Sequence, residues 1–317
     1  MTATILITGA NGFIGSHTTL QMESLGHKVL PLDLFSRSPD LCLLPIKTPS
    51  VIMNVTDGSD FRNFCAHEKP THIFHAAHPQ REESPEVINF CYQALTNILA
   101  AAKELKVRRV VYASSGALYG QLRKADHRPI KEDDLVSIYP TYFYRSAKIV
   151  SEWLGSYYKE QHGVPFVALR FSSVYGPGLS RGIPLALKKG VLGQECHPYL
   201  TRLPDDLIYI DDVVNAVQLA LFADKDLSRA YNIALDKAYD NEDLRRAIQK
   251  ALPDVSFEIG KHPNAALVGP HRDRDVLDIT RAKMELGWAP QISLDEGISR
   301  IGAWLKSHKA AVRSYGA

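Results

Sequence analysis

Ile5-Leu6-Ile7-Thr8-Gly9-Ala10-Asn11-Gly12-Phe13-Ile14-Gly15 lies close to the start of the chain, and this stretch decides the fold. Ile5 to Thr8 has the length and residue types of a buried strand. It runs into three glycines spaced three apart, then into Ser16 to Leu25, which reads as a helix stopped by Gly26. Glycine belongs where a backbone turns tightly and where a pyrophosphate must come close, and the helix that follows offers unpaired N–H groups to the phosphates. The spacing is G-x-x-G-x-x-G rather than G-x-G-x-x-G. A glycine turn also occurs for packing alone, so its place between a strand and a helix is what gives it weight.

Lys28 to Leu34 reads as the next strand, and Asp33 lies near its end, 18 residues after Gly15. A carboxylate there accepts both hydroxyls of an adenosine ribose and repels a 2′-phosphate, which favours NAD over NADP. Arg37, four residues on, suits a 2′-phosphate and keeps NADP as the alternative.

Further out, short apolar runs alternate with longer amphipathic ones. Thr71 to Ala77 and Arg109 to Ala113 read as strands, as does Pro165 to Phe171, with helices over Pro85 to Leu105 and Tyr142 to Gln161. Such alternation implies βαβ units and an α/β Rossmann-type, doubly wound parallel sheet. After Gly176-Pro177-Gly178 the pattern loosens: 179–206 reads as loop plus a short helix, Leu207 to Leu221 as strand then helix, and Tyr231 to Ala234 as a brief strand. The expected organisation is a dinucleotide-binding domain over 1–176, to which 207–236 returns. A smaller C-terminal mixed α/β substrate lobe is expected from 177–206 and 237–317, ending in a helix around Trp304. A ligand cleft is expected between the two.

Composition narrows the function classes. The chain has 317 residues, 45% hydrophobic and 23% charged, which suits a globular protein with a sizeable core. A net charge of +2 without a basic stretch argues against a nucleic-acid or anionic-membrane partner. No apolar run approaches the roughly 20 residues that span a bilayer, and no signal peptide is read at the N-terminus. Cys42, Cys65, Cys91 and Cys196 form no CxxC pair, so neither structural zinc nor a disulfide framework is expected, and a cytoplasmic location is.

Of the 14 tyrosines, only Tyr144 is followed four residues later by a lysine, Lys148. On a helix the two share a face. A free phenol, with a pKa near about 10, is a poor base at neutral pH. A cation roughly 4 Å away, at an effective dielectric of about 20, favours the phenolate by about 4 kcal/mol, enough to bring a phenol near neutrality. Such a phenol takes a proton from an alcohol, or returns one, as hydride moves. The alternative is a surface aromatic–lysine contact; the glycine turn and Asp33 upstream weigh for chemistry. Val110 to Gly120 reads as a strand ending in the polar turn Ser114-Ser115-Gly116. Strand ends of this kind gather active-site groups, and a hydroxyl there stabilises charge developing on a substrate oxygen.

Taken in this order, the glycine turn, the serine turn and the Tyr144–Lys148 pair resemble the extended short-chain dehydrogenase/reductases, specifically the NAD-dependent epimerase/dehydratase family typified by UDP-galactose 4-epimerase. Phe74-His75-Ala76-Ala77, Leu169-Arg170-Phe171-Ser172-Ser173-Val174-Tyr175-Gly176-Pro177-Gly178, Asp206-Leu207-Ile208-Tyr209-Ile210-Asp211-Asp212-Val213 and Leu286-Gly287-Trp288-Ala289-Pro290 extend the likeness over nearly the whole chain. The resemblance implies Ser115, Tyr144 and Lys148 as catalytic residues. It implies a cofactor site built from Gly9, Asn11, Gly12, Phe13, Ile14, Gly15, Asp33, Asn54, Val55, Ala76, Ala77, Tyr144, Lys148, Phe171 and Ser172. Ser115, Ser173 and Arg272 are implied on the substrate side, and His78 reads either as a substrate contact or as a buried, hydrogen-bonded histidine. It also implies a homodimer through two helices, here about 86–105 and 142–161.

Several positions depart from the family. Ser173 stands for a usual Asn, Asp205 for a usual Arg, Asn54 for a usual Asp, and His78 for a small residue. His197-Pro198-Tyr199-Leu200-Thr201-Arg202-Leu203-Pro204 replaces a glycine-containing stretch. His75 and His78 have H-x-x-H spacing but lack a third ligand, so no metal is expected. After Ser115, Gly116-Ala117 carries neither the Asp-Glu pair of the family's dehydratases nor the Cys of its keto-epimerising enzymes. What remains is an epimerase acting on a nucleotide-activated sugar through a transient keto intermediate. A net dehydrogenase or reductase of a smaller carbohydrate, hydroxy acid or carbonyl compound is the alternative. A non-catalytic dinucleotide sensor has no use for Ser115, Tyr144 and Lys148.

Overall fold

In the computed structural model, residues 2–79, 84–120, 128–134, 143–200, 204–260 and 276–314 are described. The first strand, β1 (Thr4–Thr8), is followed by α1 (Phe13–Ser24), β2 (Lys28–Asp33), a single turn α2 (Pro39–Cys42), β3 (Val51–Ile52) and α3 (Gly58–Glu68). Then come β4 (His72–His75), α4 (Glu86–Leu105), β5 (Arg109–Ser115) with a 3₁₀ turn over Gly116–Tyr119, α5 (Phe143–His162) and β6 (Phe166–Phe171). The rest of the chain supplies β7 (Ser173–Tyr175), α6 (Gly182–Val191), β8 (Leu207–Tyr209), α7 (Ile210–Leu221), β9 (Ala230–Ile233) and α8 (Asn241–Ala251). A π-turn over Ala282–Leu286, α9 (Leu294–Ser307) and α10 (Lys309–Ser314) complete it.

Seven strands form one sheet in the order β3-β2-β1-β4-β5-β6-β9, and every pairing is parallel. The order reverses beside β1, which places a crevice at the carboxyl ends of β1 and β4. Because side chains alternate along a strand, each strand feeds two cores. Ile5, Ile7, Phe74, Val111 and Val167 join α7 residues such as Val213 and Val217 on one face. Leu6, Ile73, Val110, Phe166 and Ala168 join Phe61, Leu95, Ile98 and Leu154 of α3, α4 and α5 on the other.

The structure differs from the sequence expectation at α1 and β8, and in elements that the pattern did not show. Helix α1 begins at Phe13 rather than Ser16, because Gly12 serves as its N-cap and Gly15 lies inside its first turn. Strand β8 pairs with β7 in a separate two-stranded sheet, while β9 alone of that stretch joins the large sheet beside β6. The short strand β3 and the helices α3 and α8 were not foreseen. α3 is capped by Asp57, whose side chain accepts the Asp60 N–H, and α8 by a reciprocal Asp240–Asp243 box, both local signals of a helix start.

Candidate active site

The three glycines of the first turn have different work. Gly9 sits at φ +72°, and a Cβ there would lie 2.6 Å from the Ala77 nitrogen. A Cβ on Gly15 would lie 2.0 Å from the Gly9 carbonyl oxygen, so Gly15 is glycine to let α1 pack on the turn. Gly12 meets only a tight 3.2 Å approach to the same oxygen. No side chain caps the N-terminus of α1. Its first amides, on Phe13 and Ile14, therefore suit phosphate oxygens. This cradle fits a dinucleotide pyrophosphate.

Asp33 ends β2 beside it. Its Oδ2 accepts the Asn11 N–H at 2.9 Å and its Oδ1 accepts the Phe35 N–H at 3.1 Å. A carboxylate has about four acceptor sites, so capacity remains for ribose hydroxyls. Asn11 ties the region together: its Nδ2 donates to the Phe35 carbonyl, and its Oδ1 accepts from Ser50 Oγ at 2.6 Å and Arg37 Nε at 3.2 Å. Arg37 is thus turned toward Asn11. Asn54 accepts from Thr56 within its own turn. Val55 is buried in the core, so only its backbone can reach a ligand. Ala76 and Ala77 close the cradle from β4.

Across the sheet, Lys148 Nζ donates to the Ala113 carbonyl at 2.8 Å and lies 5.4 Å from the Tyr144 ring centroid. Lys148 also sits 4.9 Å above the buried Tyr112 ring. Helix α5 and the end of β5 are thereby joined at Lys148, one of the two residues that the spacing singled out. Ser115 Oγ accepts the Ala117 N–H at 3.1 Å, capping the 3₁₀ turn. That bond uses a lone pair and leaves the hydroxyl proton able to donate.

His78 packs edge-on against Tyr144, ring centroids 4.8 Å apart. Its Nδ1 lies 3.0 Å from the Pro79 carbonyl, which only accepts, so Nδ1 carries the proton. Burial, and then the positive charge of Lys148, pushes this imidazole down to about 3. It is neutral at physiological pH. His75 is also pushed down to about 3, by burial and then Lys148, and contacts Thr8 Oγ1 at 2.6 Å. No group of three His, Cys, Asp or Glu side chains among the described residues is placed to hold a metal ion.

Phe171 is buried, and Ser172 donates from Oγ to the Asp206 carbonyl at 2.5 Å. Ser173 Oγ donates to Asp205 Oδ1 at 2.9 Å, so two departures from the family pattern are partners of one another. Arg272 and residues 201–203 lie outside the described residues.

Sequence reasoning missed Glu152. Its carboxylate accepts the Ser114 hydroxyl and meets Arg170 through Nη2 at 2.6 Å and Nε at 3.0 Å. Arg170 Nη1 donates to the Tyr119 hydroxyl at 2.6 Å and to the Glu132 carbonyl at 2.9 Å. Tyr119 then donates to Asn232 Oδ1 at 2.7 Å. Burial works against the Arg170 charge, but Glu152 outweighs it and holds the guanidinium above its ordinary value. A signal existed: Glu152 follows Tyr144 by eight residues and Lys148 by four, on one helical stripe.

Known proteins share this arrangement of elements. Over 324 residues the chain is 27% identical to GDP-mannose 3,5-epimerase 1 of rice, covering 95% of this chain and 81% of the rice protein. Over 337 residues it is 25% identical to UDP-glucuronate 4-epimerase 5 of Arabidopsis thaliana, covering 95% and 75%. The crystal structure of UDP-glucose 4-epimerase with UDP-glucose from Thermotoga maritima superposes with a TM-score of 0.81 at 23% identity, covering 96% of this chain and 99% of that one. No helix among the described residues is long and apolar enough to cross a membrane. The family model for the NAD dependent epimerase/dehydratase family matches residues 5–234, from the first strand through the glycine cradle and the Tyr144–Lys148 helix to β9, and the chain belongs to that family.

Proposed function

We propose that this protein is an NAD-dependent epimerase of a nucleotide-activated sugar. What supports this is Lys148, which lies 5.4 Å from the Tyr144 ring centroid and is hydrogen-bonded to the Ala113 carbonyl on the strand that ends in Ser115. Gly9, Gly12, the first turn of α1 and Asp33 would hold NAD, which when bound would supply the hydride acceptor and, on the return, the donor. Tyr144 takes the proton from the reacting sugar hydroxyl and later gives it back. Ser115 donates its hydroxyl hydrogen to the same oxygen. Lys148 favours the phenolate form of Tyr144 while the proton is away. Asn54, Val55, Ala76, Ala77, Phe171 and Ser172 complete the cofactor site, and His78 and Ser173 face the sugar, with Arg272 assigned to the substrate by the family resemblance alone. Gly116-Ala117 adds no acid, base or thiol beside Ser115, which suits epimerisation at the oxidised carbon without loss of water.

The working form is a cytoplasmic homodimer joined through α4 and α5. Those helices leave Trp153 at 67%, Tyr157 at 47% and Tyr92 at 46% exposure, an aromatic face suited to a second copy.

Incubation with UDP-glucose, UDP-glucuronate and GDP-mannose in turn tests the activity. Expected is conversion of at least one into its epimer with no added cofactor once the enzyme is loaded, and no accumulation of reduced cofactor. The Ser173–Asp205 pair, in place of the family's Asn and Arg, favours the second reading, a net dehydrogenase of a smaller carbohydrate, hydroxy acid or carbonyl compound. Stoichiometric build-up of reduced cofactor on such a substrate, with no nucleotide sugar converted, would establish that reading instead.

A further inference from the structure

The buried carboxylate of Glu152 has no place in the proton transfers just described, yet it touches every segment that carries them. It lies on α5, one turn beyond Lys148 and two beyond Tyr144. It accepts from Ser114, the immediate neighbour of Ser115 on β5. It is paired with Arg170, which precedes Phe171, Ser172 and Ser173 at the end of β6. Successive strand residues point to opposite faces, so Ser114 reaches back to Glu152 while Ser115 faces the cleft. Through Arg170 the same carboxylate is linked to Tyr119, at the far end of the turn that Ser115 caps. Arg145, next to Tyr144, ties α5 to that turn a second time by donating from Nε to the Leu118 carbonyl at 3.0 Å.

A buried ion pair of this kind is poor evidence for stability, because desolvation of the two charges offsets their attraction. What it supplies is geometry: the carboxylate and the guanidinium satisfy one another only when α5, β5 and β6 stand in a single mutual register. We propose that Glu152, acting with Arg170, is a positioning residue that holds Ser115 against the Tyr144–Lys148 pair. This rests on the assignment of Ser115, Tyr144 and Lys148 to catalysis.

The test separates position from stability. Glu152→Leu or Arg170→Met alone strands a buried charge and lowers the thermal midpoint. The double variant removes both charges, so its midpoint rises above that of either single variant. If Glu152 positions Ser115, kcat of the double variant stays about 10- to 100-fold below wild type despite that recovery, since a misplacement of about 1 Å costs on the order of a hundredfold. KM moves by less than about threefold, as expected when binding is left intact. The assay uses whichever of UDP-glucose, UDP-glucuronate and GDP-mannose the wild type converts fastest. A crystal structure of the double variant is expected to show Ser115 Oγ displaced relative to the Tyr144 hydroxyl.

Recovery of both midpoint and kcat in the double variant would overturn the proposal. Should the double variant not fold, Glu152→Gln, which keeps the shape, decides the matter: a folded protein with wild-type kcat overturns it, and a loss of about tenfold or more supports it. Tyr144→Phe, run in parallel, tests the underlying assignment. If Tyr144→Phe turns over normally, the catalytic assignment has failed independently of Glu152. If the wild type converts none of the three sugars, the nucleotide-sugar reading fails, and the Ser115–Tyr144 geometry in the double-variant crystal judges the positioning role without activity.

Discussion

The two ends of the parallel sheet are built from similar residues and put them to opposite use. At the carboxyl ends lie Thr8, Asp33, His75, Ser114 and Ser115, in strands that open onto the cleft. At the amino ends lie Lys28, His72 and Arg109. His72 packs against Phe222 at 5.1 Å, Phe222 stacks on His27 at 4.7 Å, and Arg109 Nη2 donates to the Ala223 and Lys225 carbonyls in the turn after α7. These contacts tie the bottom of the fold together. At the top, Thr8 and His75 pair with one another and Ser114 with Glu152, but Ser115 keeps a hydroxyl proton to donate and Asp33 keeps acceptor capacity. A histidine or serine at a strand end is therefore not informative by type; the end of the strand and the partners it meets there both decide. The physical reason is that α1 starts at the top of the sheet, so its amides and partial positive charge gather there.

This contrast can be broken by substitution. The largest expected effect is at the top: Tyr144→Phe lowers kcat by roughly 10²- to 10⁴-fold, the range for loss of a general acid–base group, while thermal midpoint and cofactor retention hold. Next is Gly15→Ala, whose methyl meets the Gly9 carbonyl oxygen. Overpacking there costs about 1–3 kcal/mol, seen as a lowered midpoint together with lost cofactor retention, since the strained element is the phosphate cradle itself.

The smallest effect lies at the bottom. Burial, with help from Arg108, His27 and Arg109, pushes His72 from 6.5 down to about 4. The folded state holds this imidazole neutral, so its contribution is fully present above about pH 6.5 and is lost as pH falls toward 4. Between pH 7 and pH 5 it accounts for about 2 kcal/mol of the decline in unfolding free energy. Replacing it, as His72→Phe, should shrink that decline by this amount in urea titrations and leave kcat unchanged. A fall in kcat would show that the amino ends are coupled to the chemistry after all.

Much of the site was legible because it is local. The glycine turn, Asp33 at a strand end and the i, i+4 relation of Tyr144 and Lys148 are each set by a few neighbouring residues. Glu152 and Arg170 were not recognised as partners, because 18 residues and a helix-to-strand connection separate them. Ser173 and Asp205 were each seen as a departure, and only their 2.9 Å hydrogen bond makes the two changes one. Strand β8 escaped correct pairing for the same reason: three apolar residues match either sheet, and register is decided by what packs on them.

The sequence by itself determined the parallel α/β class, the cradle for a dinucleotide, and the tyrosine–lysine pair to which the proton transfer is assigned in the proposal, since each follows from short-range periodicity or spacing. Only the tertiary structure decided that His78 is neutral and lies against Tyr144, that Ser115 has a proton to give, and that one buried carboxylate joins α5, β5 and β6. Those properties depend on burial and on partners brought from distant parts of the chain, and neither is encoded at the position of the residue itself.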